Sequence, residues 1–385
     1  MTSHFDSIPP EDRDFFVLLR AGLWQKVEVP LSAKPDWRHI YELATGQTVQ
    51  GVVTDGWMLY EAYAADHPDY ARDMPPQVRA ALLEQMASIV SRNFAVNAMQ
   101  AQLEAMFTQQ HIPHYVVKGQ QAGRNYPKPN LRCSGDIDIL IRPEDFSRSR
   151  ELLMPMATEV ETFDKNAIHQ GFHIGDIEVE LHGSLRPVLG KRINNGIDAL
   201  QRELFEGGCS YDTFCAMYIF LHCLQHFFWS GLGLRQISDW ATYLTARHAE
   251  IDWRQVHEAI KTMGLSREWC IFLQFAEGWL GMGAILSTES GFPAGKSQAD
   301  GKVVGRLWQE CKATGNMGSM RARSKTPDPH FLRRNWRLFM ARLARVRQTF
   351  PVSPRCALNT LFKTLCVDFD IAQRKLTGLF SHRGE

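Results

Sequence analysis

The sequence contains no apolar run long enough to cross a bilayer. Its most apolar stretch, Phe214 to Trp229, is interrupted by His222, Gln225 and His226. It falls short of the roughly 20 apolar residues a spanning helix needs, so a buried helix is expected and no transmembrane segment. The opening MTSHFDSIPPEDRDFF has neither a basic segment leading into an apolar one nor an Arg-rich transit pattern; export is not expected, and a cytoplasmic location is. Cys-x-x-Cys is also missing. The eight cysteines, at 133, 209, 215, 223, 270, 311, 356 and 366, are scattered, which speaks against a structural zinc site or a disulfide framework and suits a reducing compartment. Nor does one sign of charge dominate. With 43 Lys and Arg against 42 Asp and Glu, the formal net charge is +1. No global pull toward nucleic acid or anionic membrane follows, and any electrostatic preference must be local.

What remains is the composition of an ordinary globular protein, 44% hydrophobic and 22% charged. A chain of 385 residues is expected to fold as two or three packed units. Helical periodicity runs through DRDFFVLLRAGLW, VQGVVTDGWMLYEAYAADH and a long segment from Pro76 through Phe107, predicting a helical region over residues 1–110. Between Ile112 and His182 the period shortens to two in HYVVKG, DIDILI, GFHIG and IEVELH, with a helical segment RPEDFSRSRELLMPM between them. A small α/β core is thus predicted over 111–190. From about Ile197 the helical period returns in CAMYIFLHCLQHFFW, LRQISDWATYLTARH, WRQVHEAIKTM and REWCIFLQFAEGWLG, predicting a helical region over 191–385 with a surface loop from Gly283 to Ser297. The fold class expected is α+β, a small mixed sheet embedded between helical regions.

Within Gly135–Ile141, acidic and apolar residues alternate. Side chains two apart on a strand share a face, so Asp136 and Asp138 should project together, about 7 Å apart at their α-carbons. Adjacent carboxylates raise each other's pKa unless a cation lies between them. Mg²⁺ or Mn²⁺, taking oxygen ligands and sharing its shell with phosphates, meets that need. The alternation recurs in Ile177–His182, which puts Glu178, Glu180 and His182 on one face. If the two strands are neighbours, at about 4.8 Å, Glu180 can complete the cluster. Half-exposed strands with one wet face produce the same alternation without any metal, so the question is whether the carboxylates converge. Upstream, Tyr115–Gly119 reads as a strand ending at a glycine that opens a helix from Gln120 to Tyr126. The helix start would offer backbone N–H groups to phosphate, with Lys118 and Arg132 as nearby cations.

The succession VVKG, YPKPNLR, GDIDILI and IEVELH resembles the uncharacterised nucleotidyltransferase family within the DNA polymerase β superfamily. The resemblance runs over about residues 80 to 260. It implies metal binding by Asp136 and Asp138, a third acidic role for Glu180, and Lys118, Gly119 and Arg132 on the nucleotide side. Downstream, His222, His226, Arg235 and Asp239 look like that family's His-x-x-x-His followed by Leu-Arg-x-x-x-Asp. Gln120 departs from the small residue that the wider superfamily usually has after the glycine. The activity implied is metal-dependent transfer of a nucleoside monophosphate from a nucleoside triphosphate to an unidentified acceptor. A small molecule, a sugar or a peptide is expected there, with nucleic acid less favoured because the core lacks basic surroundings. The rivals are a silent nucleotide sensor of the same fold and an RNA-modifying, toxin-like transferase.

Other residues have simpler readings. His222 and His226, four apart on an aromatic helix without a His-Glu-x-x-His pattern, are expected to line a core or pocket rather than bind zinc. Arg235 and Asp239 have the spacing of an intrahelical ion pair. His182 is either a substrate contact or a hydrogen-bonded strand histidine. Near 331–348, arginines interleaved with Trp336, Leu338, Phe339 and Leu343 form a basic amphipathic pattern, expected to pack on the body, with a polyanion site as the alternative.

Overall fold

In a computed structural model, which describes residues 4–164, 168–187, 189–283, 301–318, 340 and 343–362, the period-two segments form one five-stranded sheet. Four helices precede it: α1 (Arg13–Trp24), α2 (Trp37–Gly46), α3 (Gln50–Asp66) and α4 (Pro76–Gln109). Strand β1 (His114–Val116) leads through a short helix, α5 (Gln120–Gly123), to β2 (Ile137–Ile141). Helix α6 (Phe146–Leu153) then precedes β3 (Glu159–Val160), β4 (His169–Ile174) and β5 (Ile177–His182). The remaining described helices are α7 (Lys191–Glu206), α8 (Tyr211–Phe228), α9 (Leu234–Ala246), α10 (Trp253–Met263), α11 (Ser266–Gly278) and α12 (Gly301–Thr314), followed by helical turns at 343–349 and 354–362. The class is α+β, as the change of period implies. No helix among the described residues is long and apolar enough to cross a membrane.

The strand order is β1-β2-β5-β4-β3. Only the β2–β5 pair is parallel, and its register sets Asp138 beside Glu180 and Leu140 beside His182. Alternation then assigns the faces. Ile137, Ile139, Ile141, Val179 and Leu181 bury against Val96, Leu103 and Phe107 of α4 and Phe146 and Leu153 of α6. The acidic residues occupy the other face, toward α8 and α9. Beyond that face lies the larger core, in which α1 meets the distant α11 and α12. The Phe16 ring stands 5.5 Å from Trp279 and 4.9 Å from Trp308, while Lys312 reaches the buried Asp12 at 2.7 Å.

Several elements differ from expectation. The helix predicted from Gln120 to Tyr126 stops at Gly123, because Pro127 and Pro129 follow and a residue before proline avoids the helical region. Helix α7 begins at Lys191 rather than near Ile197, and α2, β3 and α12 are elements that were not singled out in the sequence. Residues 284–297 of the expected surface loop lie outside the described residues, as do 331–339, 341 and 342 of the basic segment. Within the described part of that segment, Arg345 is buried and donates to the carbonyls of His226 at 3.1 Å and Phe227 at 2.7 Å. It satisfies the end of α8, where free carbonyls and the helix dipole favour a cation, and so packs on the body.

Helices α1 and α3 cross with almost no space between backbones. A Cβ on Gly56 would lie 1.9 Å from the Leu18 carbonyl oxygen, and one on Gly22 would lie 2.0 Å from that of Val52. Gly56→Ala is therefore expected to cost about 2 kcal/mol, since backbone rather than a flexible side chain must yield. The urea midpoint measures this, and an unchanged midpoint would refute the tight crossing.

Candidate active site

Asp136, just ahead of β2, and Asp138 within it project to the side that Glu180 of β5 reaches across the parallel pairing. One carboxylate oxygen from each lies within 4.8 Å of the others. The carboxylates thus converge. Asp138 is fully buried. Its Oδ1 takes Lys118 Nζ at 2.5 Å and His182 Nε2 at 3.0 Å. Its Oδ2 is buried without a hydrogen-bond partner, an arrangement that is costly unless a cation or water completes it. Three hard oxygen donors and one orphaned carboxylate oxygen fit a Mg²⁺- or Mn²⁺-type ion. Glu178 shares the face but groups with Glu161 and His173 toward the sheet's far side.

The charges are strongly interdependent. Burial pushes Asp138 up to about 6, Asp136 adds repulsion, and Lys118 and His182 only partly offset these. For Glu180, burial acts upward as well, but the His169 and His182 rings turned toward it and the charge of Lys118 prevail and hold it well below the usual carboxylate range. Burial works against the Lys118 ammonium and the protonated His182, yet Asp138 and its acidic neighbours raise both. Lys118 therefore places positive charge between the two strands, and the acids around His182 draw it toward its protonated form.

Beside the acids is a cleft lined by Lys118, Gly119, Arg132, Asp136, His222 and Arg235 among others. At Gly119, φ is +53° and a Cβ would stand 2.8 Å from the Asp136 carbonyl oxygen. Glycine is required twice over there, by the left-handed backbone and by the close approach to the acidic strand. The four-residue α5 is too short to present a helix dipole, and Lys118 turns to the acids rather than to its N-terminus. Gln120 points away, donating to Asn93 at 3.0 Å and Asn97 at 2.8 Å on α4. Asn93 in turn donates to the carbonyls of Asn130 and Arg132, both at 2.8 Å. The residue that departs from the small-residue pattern thus clamps the proline loop to α4.

Arg132 and Asp239 replace the expected intrahelical pair. The Arg132 guanidinium binds both oxygens of Asp239, at 2.9 and 2.7 Å, and the Tyr126 hydroxyl donates to the same carboxylate at 2.8 Å. Arg235 donates instead to the Cys133 carbonyl at 3.1 Å. The preference has a physical cause, since a planar guanidinium and a carboxylate bond bidentately only when they meet in plane. Arg132 Nη1 and Arg235 Nε have no hydrogen-bond partner although both are buried. The cleft therefore holds two uncommitted guanidinium N–H positions next to Lys118. Its free space is about 30 Å³, the room of a single water, so a larger ligand needs side chains to move.

His222 lines this cleft from α8, with His226 one turn further along the helix. Their Nε2 atoms are 3.0 Å apart, and His226 Nδ1 meets Ser230 Oγ at 2.6 Å. A contact between two ring nitrogens needs one proton, not two. Burial first, then the charge of Lys118, hold both pKa values down, His226 to about 4. Both are held neutral, His222 at the cleft wall. Because His226 is depressed, its contribution to stability is present above the unfolded pKa near 6.5 and is lost as pH falls toward 4. The loss expected is on the order of 3 kcal/mol. His226→Gln should flatten the fall in denaturation free energy between pH 6.5 and 4, and an unaltered slope would contradict the assignment.

Two features escaped the sequence reading. His169, at the start of β4, lies directly opposite His182, and only the antiparallel register reveals it. A second cavity, about 600 Å³, opens at the carboxyl ends of β2 and β5 among Arg142, Ser184, Gln201, Arg202 and others. Ser184 Oγ and Gln201 Oε1 there are buried without partners.

A model of the family described as uncharacterised nucleotidyltransferase matches residues 33–281. No curated protein and no solved structure matches the chain.

Proposed function

The chain belongs to the uncharacterised nucleotidyltransferase family, and from that membership we propose that it moves a nucleoside monophosphate from a nucleoside triphosphate to an acceptor hydroxyl or phosphate. The observation that carries this reading is the meeting of Asp136, Asp138 and Glu180 beside a cleft with uncommitted guanidinium groups. In it the three carboxylates hold Mg²⁺ or Mn²⁺, which when bound supplies neutralisation of the triphosphate and a lowered pKa for the acceptor hydroxyl. Lys118, Arg132 and Arg235 bind phosphate oxygens and stabilise the charge that builds on the departing pyrophosphate. Gly119 lets the backbone close on the acidic strand, and His222, kept neutral, offers a hydrogen bond without adding charge. Glu180, held ionised, is a metal ligand or the base for the acceptor proton. We assign the acceptor, a polar small molecule, sugar or peptide, to the cavity beyond His182, whose Ser184 and Gln201 have hydrogen-bonding capacity to spare.

A thermal-shift comparison of the four nucleoside triphosphates with Mg²⁺ and with Mn²⁺ tests the proposal. A nucleotide at a hundredfold excess over its Kd should stabilise the protein by about 2.7 kcal/mol, a rise of a few degrees in Tm. Asp138→Ala should lose most of that rise. Equal stabilisation of both proteins by every nucleotide would overturn the reading.

A further inference from the structure

We propose that His169, Glu180 and His182 form a second metal site, one that takes a transition ion such as Zn²⁺, Mn²⁺ or Co²⁺ and shares Glu180 with the aspartate group. It rests on the reading above only in that Glu180 serves both sites.

The geometry is specific. His169 and His182 are directly opposed across the β4–β5 pairing, with Gly171 opposite Glu180. Their ring centroids are 4.7 Å apart, and the planes are inclined by 32°. Both Nε2 atoms turn to one oxygen: His182 Nε2 is 3.1 Å and His169 Nε2 is 3.7 Å from Glu180 Oε2. The three donor atoms lie within 4.8 Å of one another. Ligands about 2.0–2.1 Å from a tetrahedral ion sit about 3.3–3.4 Å from each other, and the two contacts with Glu180 bracket that spacing. His169 Nε2 is buried and has no hydrogen-bond partner, so this nitrogen is free to ligate.

Two imidazoles and one carboxylate are the donor set of catalytic zinc sites that keep a position open. The same set discriminates against Mg²⁺, which takes oxygen ligands in octahedral geometry. Asp138 Oδ1 is also near His182 Nε2, but Lys118 at 2.5 Å holds that oxygen, which leaves Asp138 with the first group. Glu180 then lies between two sites of different character, an all-oxygen one toward β2 and a nitrogen-rich one toward β4. The alternative is that His182 Nε2–H merely bridges two carboxylates, which needs no metal and leaves His169 only its 3.7 Å contact with Glu180.

Cobalt titration of the full-length protein, without nucleotide, separates these. Co²⁺ should bind at one equivalent with the intense visible absorption of four- or five-coordinate geometry, be displaced by Zn²⁺, and resist an equal concentration of Mg²⁺. His169→Ala and the bulkier His169→Gln should each weaken binding at least about tenfold and remove the band, with circular dichroism reporting that the fold persists. His173→Ala, which alters the separate Glu161–His173–Glu178 group on the same sheet, should leave it. A weak six-coordinate spectrum, a band indifferent to His169, or one lost with His173 would overturn the proposal. Absence of the band in the wild-type protein, with its magnesium-nucleotide stabilisation intact, would sink this inference alone. The reverse result would sink only the nucleotidyl-transfer reading.

Discussion

Asp138→Asn is expected to weaken binding of a magnesium nucleotide at least about 100-fold, taking as a floor the loss that follows removal of mere supporting contacts in metal sites. The nucleotidyl-transfer rate should fall by about 10³ or more, as electrostatic stabilisation worth roughly 4 kcal/mol disappears. The substitution keeps the size of the side chain and removes a carboxylate that is fully buried and has an orphaned oxygen. Titration with an analogue that cannot be cleaved between its α- and β-phosphates measures the first effect. A loss under threefold would remove Asp138 from the site. A stability signature should accompany it. Because the carboxyl is raised to about 6, the stability tied to its protonated form is complete below the unfolded value near 3.9 and lost as pH rises through 6. Without divalent ion the wild type should therefore give up stability across that window, and Asp138→Asn should give up less.

Arg132→Ala should cost about 3–5 kcal/mol of folding stability, the typical penalty for stripping one partner from a buried ion pair. Arg132 and Asp239 are both nearly inaccessible, at 4% and 5% exposure, and the deletion leaves the Asp239 carboxylate with the Tyr126 hydroxyl as its hydrogen-bond donor. Arg132→Lys should recover little, because an ammonium cannot reproduce the two parallel bonds. Replacing both partners with leucine should cost less than the single change, since no buried charge is then abandoned. Urea denaturation of the three variants measures this, and a single-variant cost below about 1 kcal/mol would contradict the pairing.

The acidic face could be read from the chain because it depends on local alternation. Ile137, Ile139 and Ile141 against Asp136 and Asp138, and Val179 and Leu181 against Glu180 and His182, specify their faces within six residues. Adjacency of those segments stayed a condition in the sequence, and the parallel β2–β5 register meets it. What stayed hidden depends on contacts far apart in sequence. The spacing of Arg235 and Asp239 suits a helical pair, yet Asp239 binds Arg132, 107 residues away. His169 carries no local signal, and its role appears only once β4 folds back on β5. Gln120 looks like a flaw in a phosphate loop until Asn93 and Asn97 of α4 are seen to receive it. Arg345 looks like a solvent-facing cation and is in fact spent on the end of α8.

The direct test of nucleotidyl transfer is the fate of the two ends of the triphosphate. The protein is incubated with Mg²⁺ or Mn²⁺, a mixture of polar small-molecule acceptors, and each nucleoside triphosphate labelled either at the α- or at the γ-phosphorus. The account predicts that α-label enters an acceptor while γ-label leaves as pyrophosphate, and that Asp138→Asn stops both. Transfer of γ-label to acceptor, or no movement of either label with any nucleotide and either ion, would contradict it.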